Sequence, residues 1–111
     1  MDANYALNFI RETLSHQPVI DEKRMFGGTC FMVNQKMCIC ISKEALLCRI
    51  GHEQVAIELE NDTCRHMMMN GKTSKDYVYV DLDDINNTKQ LIHWLELTLQ
   101  FNPMAKASKG K

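Results

Sequence analysis

Cys64 and His66 stand two residues apart in a run that reads as a strand, so alternation places a thiol and an imidazole on one face. A thiolate aided by imidazole is the simplest nucleophile such a pair could form. Cys38 and Cys40 have the same spacing, and two thiols on one strand face could begin a metal site. A zinc site usually adds a Cys-x-x-Cys or a matching His pair. His16, His52, His66 and His93 supply no such pair at ligand spacing. No third orienting group and no oxyanion donor can be named beside Cys64. A thiol- or metal-dependent site of Cys38, Cys40, Cys64 and His66 therefore stands as the alternative reading, and no cofactor is expected. Arg24 and Arg49 lie on apolar strands. If buried, each needs a carboxylate or carbonyl partner, and either could mark a shallow anion site or a structural ion pair.

The elements that must position these groups centre on Arg24-Met25-Phe26-Gly27-Gly28. Two glycines directly after a bulky apolar pair allow positive φ and close approach by a neighbouring strand, so the segment reads as a strand ending in a bulge or tight bend. It is no phosphate loop, because it lacks the G-x-G-x-x-G pattern and leads into a strand rather than a helix N-terminus.

A chain of 111 residues, 45% hydrophobic and 24% charged, has the material for one two-layer core. No apolar run approaches the roughly 18 residues that span a bilayer, and Met1-Asp2-Ala3-Asn4 is not a basic-then-apolar leader. The expectation is a cytoplasmic protein without membrane contact. Net charge is −1, but Lys106, Lys109 and Lys111 crowd the end, leaving ten basic against fourteen acidic side chains elsewhere. That balance offers no basic face for phosphate, so direct nucleic-acid binding is not expected. The five cysteines, an odd number among apolar neighbours, read as reduced thiols that pack as small hydrophobes.

In chain order, Asp2 caps a first helix with Ala6, Leu7, Ile10 and Leu14 at helical spacing, ending before Pro18. Short β runs follow at 23–26, 29–33, 36–41 and 45–50, with Asn34-Gln35 a two-residue hairpin turn. That turn places Phe31 opposite Cys38 and Thr29 opposite Cys40, with Cys30 and Met32 on the other face. Both sheet faces are then apolar, which suggests that another chain or a tail covers one of them. A short helix is expected over 52–60, a fifth strand over 64–69, a turn at Asn70-Gly71, a polar mobile loop to Asp76, and a strand over 77–82. The last helix starts after Asn87, with Gln90 three residues on, and runs to about Phe101 before Pro103. Leu91, Ile92, Leu95 and Leu99 make one stripe, and Trp94, Leu97 and Phe101 a second. That arc is wider than one sheet contact needs, so the helix is either clasped on two sides or offers Trp94, Leu97 and Phe101 to a partner.

Arg24 to Gly28, Phe31, Asn34 with Met37, Leu47-x-Arg49-x-Gly51, the Gly71 loop leading into Tyr77-Val78-Tyr79-Val80, and Trp94 together resemble the N-terminal domain of the TfoX (Sxy) proteins. The resemblance spans nearly the whole chain. It implies a two-layer α+β sandwich in the order helix, antiparallel strands, helix, two strands, helix. It makes Arg24, Met25, Phe26, Gly27, Gly28 and Arg49 the family signature, and implies no catalysis. TfoX-like proteins regulate natural competence and are thought to act with the cyclic-AMP receptor protein at promoters. The chain departs from its relatives at Gly71-Lys72-Thr73-Ser74-Lys75-Asp76, where they carry a proline and a second glycine, and it stops soon after Pro103 where a full-length regulator has a second domain. The reading is one domain over 1–103 with a disordered basic tail over 104–111. Its expected role is a stand-alone regulatory module that contacts a protein partner, such as the transcription machinery, or a second copy of itself.

Overall fold

The computed structural model describes residues 1–69 and 71–106. Helix α1 (Ala3–Leu14) begins where the Asp2 carboxylate accepts from the Tyr5 backbone N–H, and it buries Ala6, Ile10 and Leu14. Strands β1 (Ile20–Met25), β2 (Gly28–Val33), β3 (Lys36–Ile41) and β4 (Ala45–Arg49) form an antiparallel meander. Helix α2 (His52–Glu60) leads to the hairpin of β5 (Arg65–Met69) and β6 (Lys72–Asp81), and α3 (Thr88–Phe101) closes the fold. The sheet order is β1-β2-β3-β4-β6-β5, with every pairing antiparallel, so the protein is α+β with helices and strands in the expected order. The α3 cap is as the sequence implies: Asn87 accepts from the Gln90 N–H.

One face of the sheet carries the larger core. Phe31, Val33, Ile39, Ile41, Leu46, Cys48, Val78 and Val80 pack there against Ala6, Ile10 and Leu14 of α1, Val55 of α2, and Leu91, Trp94 and Leu95 of α3. The opposite face holds a second cluster of Cys30, Met32, Met37, Cys40, Leu47 and Met67, rimmed by Met25, Tyr77 and Tyr79. All of its named residues come from strands. Its six inner residues are at most 4% exposed, so this chain covers its own second face and the expected covering partner is not needed. The natural coil of a sheet brings flanking strands over their own face, and long Met, Tyr and Arg side chains fill the remainder.

Four further expectations are corrected. The register puts Cys30 opposite Cys40, Phe31 opposite Ile39 and Thr29 opposite Ile41, not Thr29 opposite Cys40. A bulge is the cause. Between the Phe31–Ile39 and Met32–Met37 pairs β3 holds one extra residue, Cys38, and every side chain beyond it changes face. The segment 72–76 is not a loop, because Lys72 and Thr73 pair with Met69 and Met68 as the start of β6. Backbone ladder bonds need no apolar side chains, so a polar hairpin arm left no trace in the hydrophobic pattern. On α3, Leu91, Trp94, Leu95 and Thr98 form the buried stripe, while Ile92 is exposed. At the start of the expected tail, Asn102–Met104 instead form a 3-10 turn and Ala105 is buried, whereas Asn70 and 107–111 lie outside the described residues.

Candidate interaction surface

The β1–β2 hairpin turns on Phe26 and Gly27, both left-handed at φ 54° and 72°, between the paired Met25 and Gly28. Two left-handed residues in a two-residue loop are what a type I′ turn requires, and the favoured residues there are Asn, Asp and Gly. Phe26 is none of these. Holding a bulky L-residue in this region costs about 1–2 kcal/mol, and Phe26 leaves 48% of its surface in water, so burial does not offset that cost. Gly28 is fixed by contact instead: a Cβ there would stand 2.2 Å from the Ile41 carbonyl oxygen. The close approach read from the two glycines is therefore that of β3's end against Gly28. Arg24, also exposed, points to the helix side, where it borders a hollow with Ala3, Asn4 and Leu7 at the start of α1.

Arg49 on β4 lies three strands across the sheet from Arg24 on β1, so the two do not form one anion site. Its Nη1 donates to the Met37 carbonyl at 3.4 Å and its guanidinium lies 5.5 Å from the Tyr77 ring centroid. These are the carbonyl and cation–π partners that a half-buried guanidinium needs. Its Nε is buried and has no hydrogen-bond partner among the described residues.

The alternative thiol site is dispersed. Cys38 faces the helices beside the Thr98 hydroxyl, Cys40 is on the opposite face in a disulfide with Cys30, and Cys64 is half-buried ahead of β5. His66 is exposed. The reduced state expected for all five cysteines is corrected for this pair, because the bulge puts Cys30 and Cys40 directly opposite each other across β2 and β3, where they are bonded. Burial pushes the Cys38 and Cys64 thiols up to about 11 and raises that of Cys48 well above its ordinary value. At neutral pH these are thiols, not thiolates, and they are weak nucleophiles.

Among the proposed contact residues, Trp94 is only 3% exposed and belongs to the core: α3 is clasped on two sides, which accounts for its wide apolar arc. Leu97 and Phe101 line a groove of 330 Å³ with Gly51 and Met104. Sequence reasoning missed Glu58, a buried carboxylate that accepts from Gln54 Nε2 and Thr63 Oγ1 and lies 3.1 Å from His93 Nε2. The Gln54–Glu58 spacing of four was the available signal. Satisfied on three sides, Glu58 ties α2 to α3.

The TfoX N-terminal domain model matches residues 12–102, from the end of α1 through α3. The chain belongs to the TfoX N-terminal domain family. No curated protein and no solved structure matches it significantly. In this TfoX domain the segment 24–28 forms the strained hairpin tip, and no helix of the described residues is long and apolar enough to cross a membrane.

Proposed function

We propose that this TfoX domain is a non-enzymatic regulatory module that works by protein contact, with the β1–β2 hairpin tip as its contact point. The observation that carries the reading is Phe26, an aromatic side chain held at positive φ and half in water where Asn or Gly would be relaxed. Aromatic residues on rigid supports are common anchors of protein interfaces, since they bury a large area for little lost freedom. Family membership supports a role like that of the competence regulators, and the partner class we assign is a component of the transcription machinery.

A photo-reactive benzoylphenylalanine placed at position 26, and in a second version at the equally exposed Ile57, tests this in the protein's own cells. The expected result is a nuclease-resistant adduct to another protein from position 26 and not from position 57. Adducts only to a second copy of the chain would replace the partner with self-association, and no position-specific adduct would overturn the reading.

A further inference from the structure

The second-face cluster is unusual in its elements. Four of the chain's eight methionines, Met25, Met32, Met37 and Met67, gather there around Cys30 and Cys40. The helix-side core, in contrast, is built from aliphatic and aromatic side chains with Cys38 and Cys48. The arrangement follows from the bulge. Met37 and Cys40 are three residues apart and would face opposite ways on a regular strand, but the extra residue Cys38 turns both to the second face. Two neighbouring cross-strand pairs, Cys30–Cys40 and Met32–Met37, then put four sulfur-bearing side chains into one cluster. Met25 sits at the rim, where its carbonyl oxygen is 3.7 Å from the Cys30 sulfur.

Thioether and thiolate donors packed away from water suit a soft monovalent ion, and among biological metals they select Cu(I). We propose that the reduced second-face cluster is a Cu(I) site, with the Cys30 and Cys40 thiolates as principal ligands and the Met32 and Met37 thioethers completing the set. The disulfide gates it. A dithiol reductant transfers two electrons and two protons, breaking the Cys30–Cys40 bond and closing its own disulfide. One Cu(I) then displaces the two thiol protons, leaving a dithiolate complex of net charge −1. A buried negative charge needs a compensating group. Arg49 is placed to be that group: it reaches across to the Met37 backbone, and its buried Nε–H has no acceptor among the described residues. Half-buried Met25 and Tyr77 form the rim through which the ion would enter.

The test is competition for Cu(I) against a chromophoric Cu(I) chelator, using the full chain with its disulfide intact and after anaerobic reduction, followed by X-ray absorption at the copper edge. The expected result is one Cu(I) withdrawn per reduced chain, none by the disulfide form, and a copper shell of sulfur only. Met32→Leu with Met37→Leu preserves volume and fold, and should weaken binding by at least about tenfold. Cys64→Ser, which removes the more accessible thiol, should leave binding unchanged. Failure of the reduced chain to take copper from the chelator would overturn the proposal. So would undiminished affinity in the double methionine variant, or loss of binding in Cys64→Ser.

Discussion

Two hairpin turns of the same backbone shape do different work in this molecule. Phe26-Gly27 and Asn34-Gln35 each place two left-handed residues between antiparallel strands, at φ 54° and 72° in the first and 55° and 67° in the second. The Asn34 turn is docked. Its amide donates to Asn102 Oδ1, Asn102 Nδ2 donates to the Val33 carbonyl, and Lys36 Nζ reaches the carbonyls of Asn102 and Pro103. The Phe26 turn carries the less suitable residue and leaves it half in water. Strain that packing uses is structural, whereas strain held at an exposed aromatic side chain points to recognition.

The strongest way to break the comparison is at the base of the Phe26 turn. Gly28→Ala forces a Cβ onto the Ile41 carbonyl, a backbone atom that cannot swing away, and should cost about 3 kcal/mol in urea unfolding, the upper end for overpacking. Asn102→Ala removes the dock of the other turn and strips the Val33 carbonyl of its side-chain donor, for a loss of about 2 kcal/mol. A loss as large from deleting the Phe26 side chain would erase the distinction between the turns. Gln35→Gly relieves a strained position without touching the Asn102 dock and should change stability by less than about 1 kcal/mol, in the stabilising direction.

The smallest effect expected is one of pH. Glu22 on β1 accepts from Arg11 on α1 at 2.7 and 2.9 Å, and that hydrogen bond holds the Glu22 carboxyl below its ordinary value. A lowered carboxylate stabilises fully above its ordinary range, and this is lost as pH falls through the lowered value. Amide exchange should therefore show β1 loosening below about pH 4, the ordinary carboxylate range, while the Asn102-docked β2–β3 turn stays protected. Equal loosening of β1 and the β2–β3 turn would argue that the Arg11 contact does not hold β1.

Much of the fold was legible because its signals are local. Asp2, Pro18, Asn87 and Gln90 bound the helices, and alternation in Tyr77-Val78-Tyr79-Val80 assigned the faces of β6. The bulge at Cys38 was not legible, because an extra residue in a strand has no composition of its own. With it went the Cys30–Cys40 pairing and the sulfur cluster. Whether Trp94 faces the core or a partner stays open in the sequence, because periodicity reports the width of an apolar arc and not how many elements clasp it. At the candidate contact point, Gly27 and Gly28 announced the bend. The left-handed Phe26 was hidden because propensity argues against it.

Phe26→Asn decides the central claim most directly, read out by urea unfolding and by crosslinked partner recovery in cells, the photo-reactive group now at Arg24. The account predicts stability unchanged or raised by up to about 1 kcal/mol, since Asn accepts the left-handed region, together with loss of the partner adduct. A destabilised protein that still captures its partner would contradict it, and would make Phe26 a structural residue.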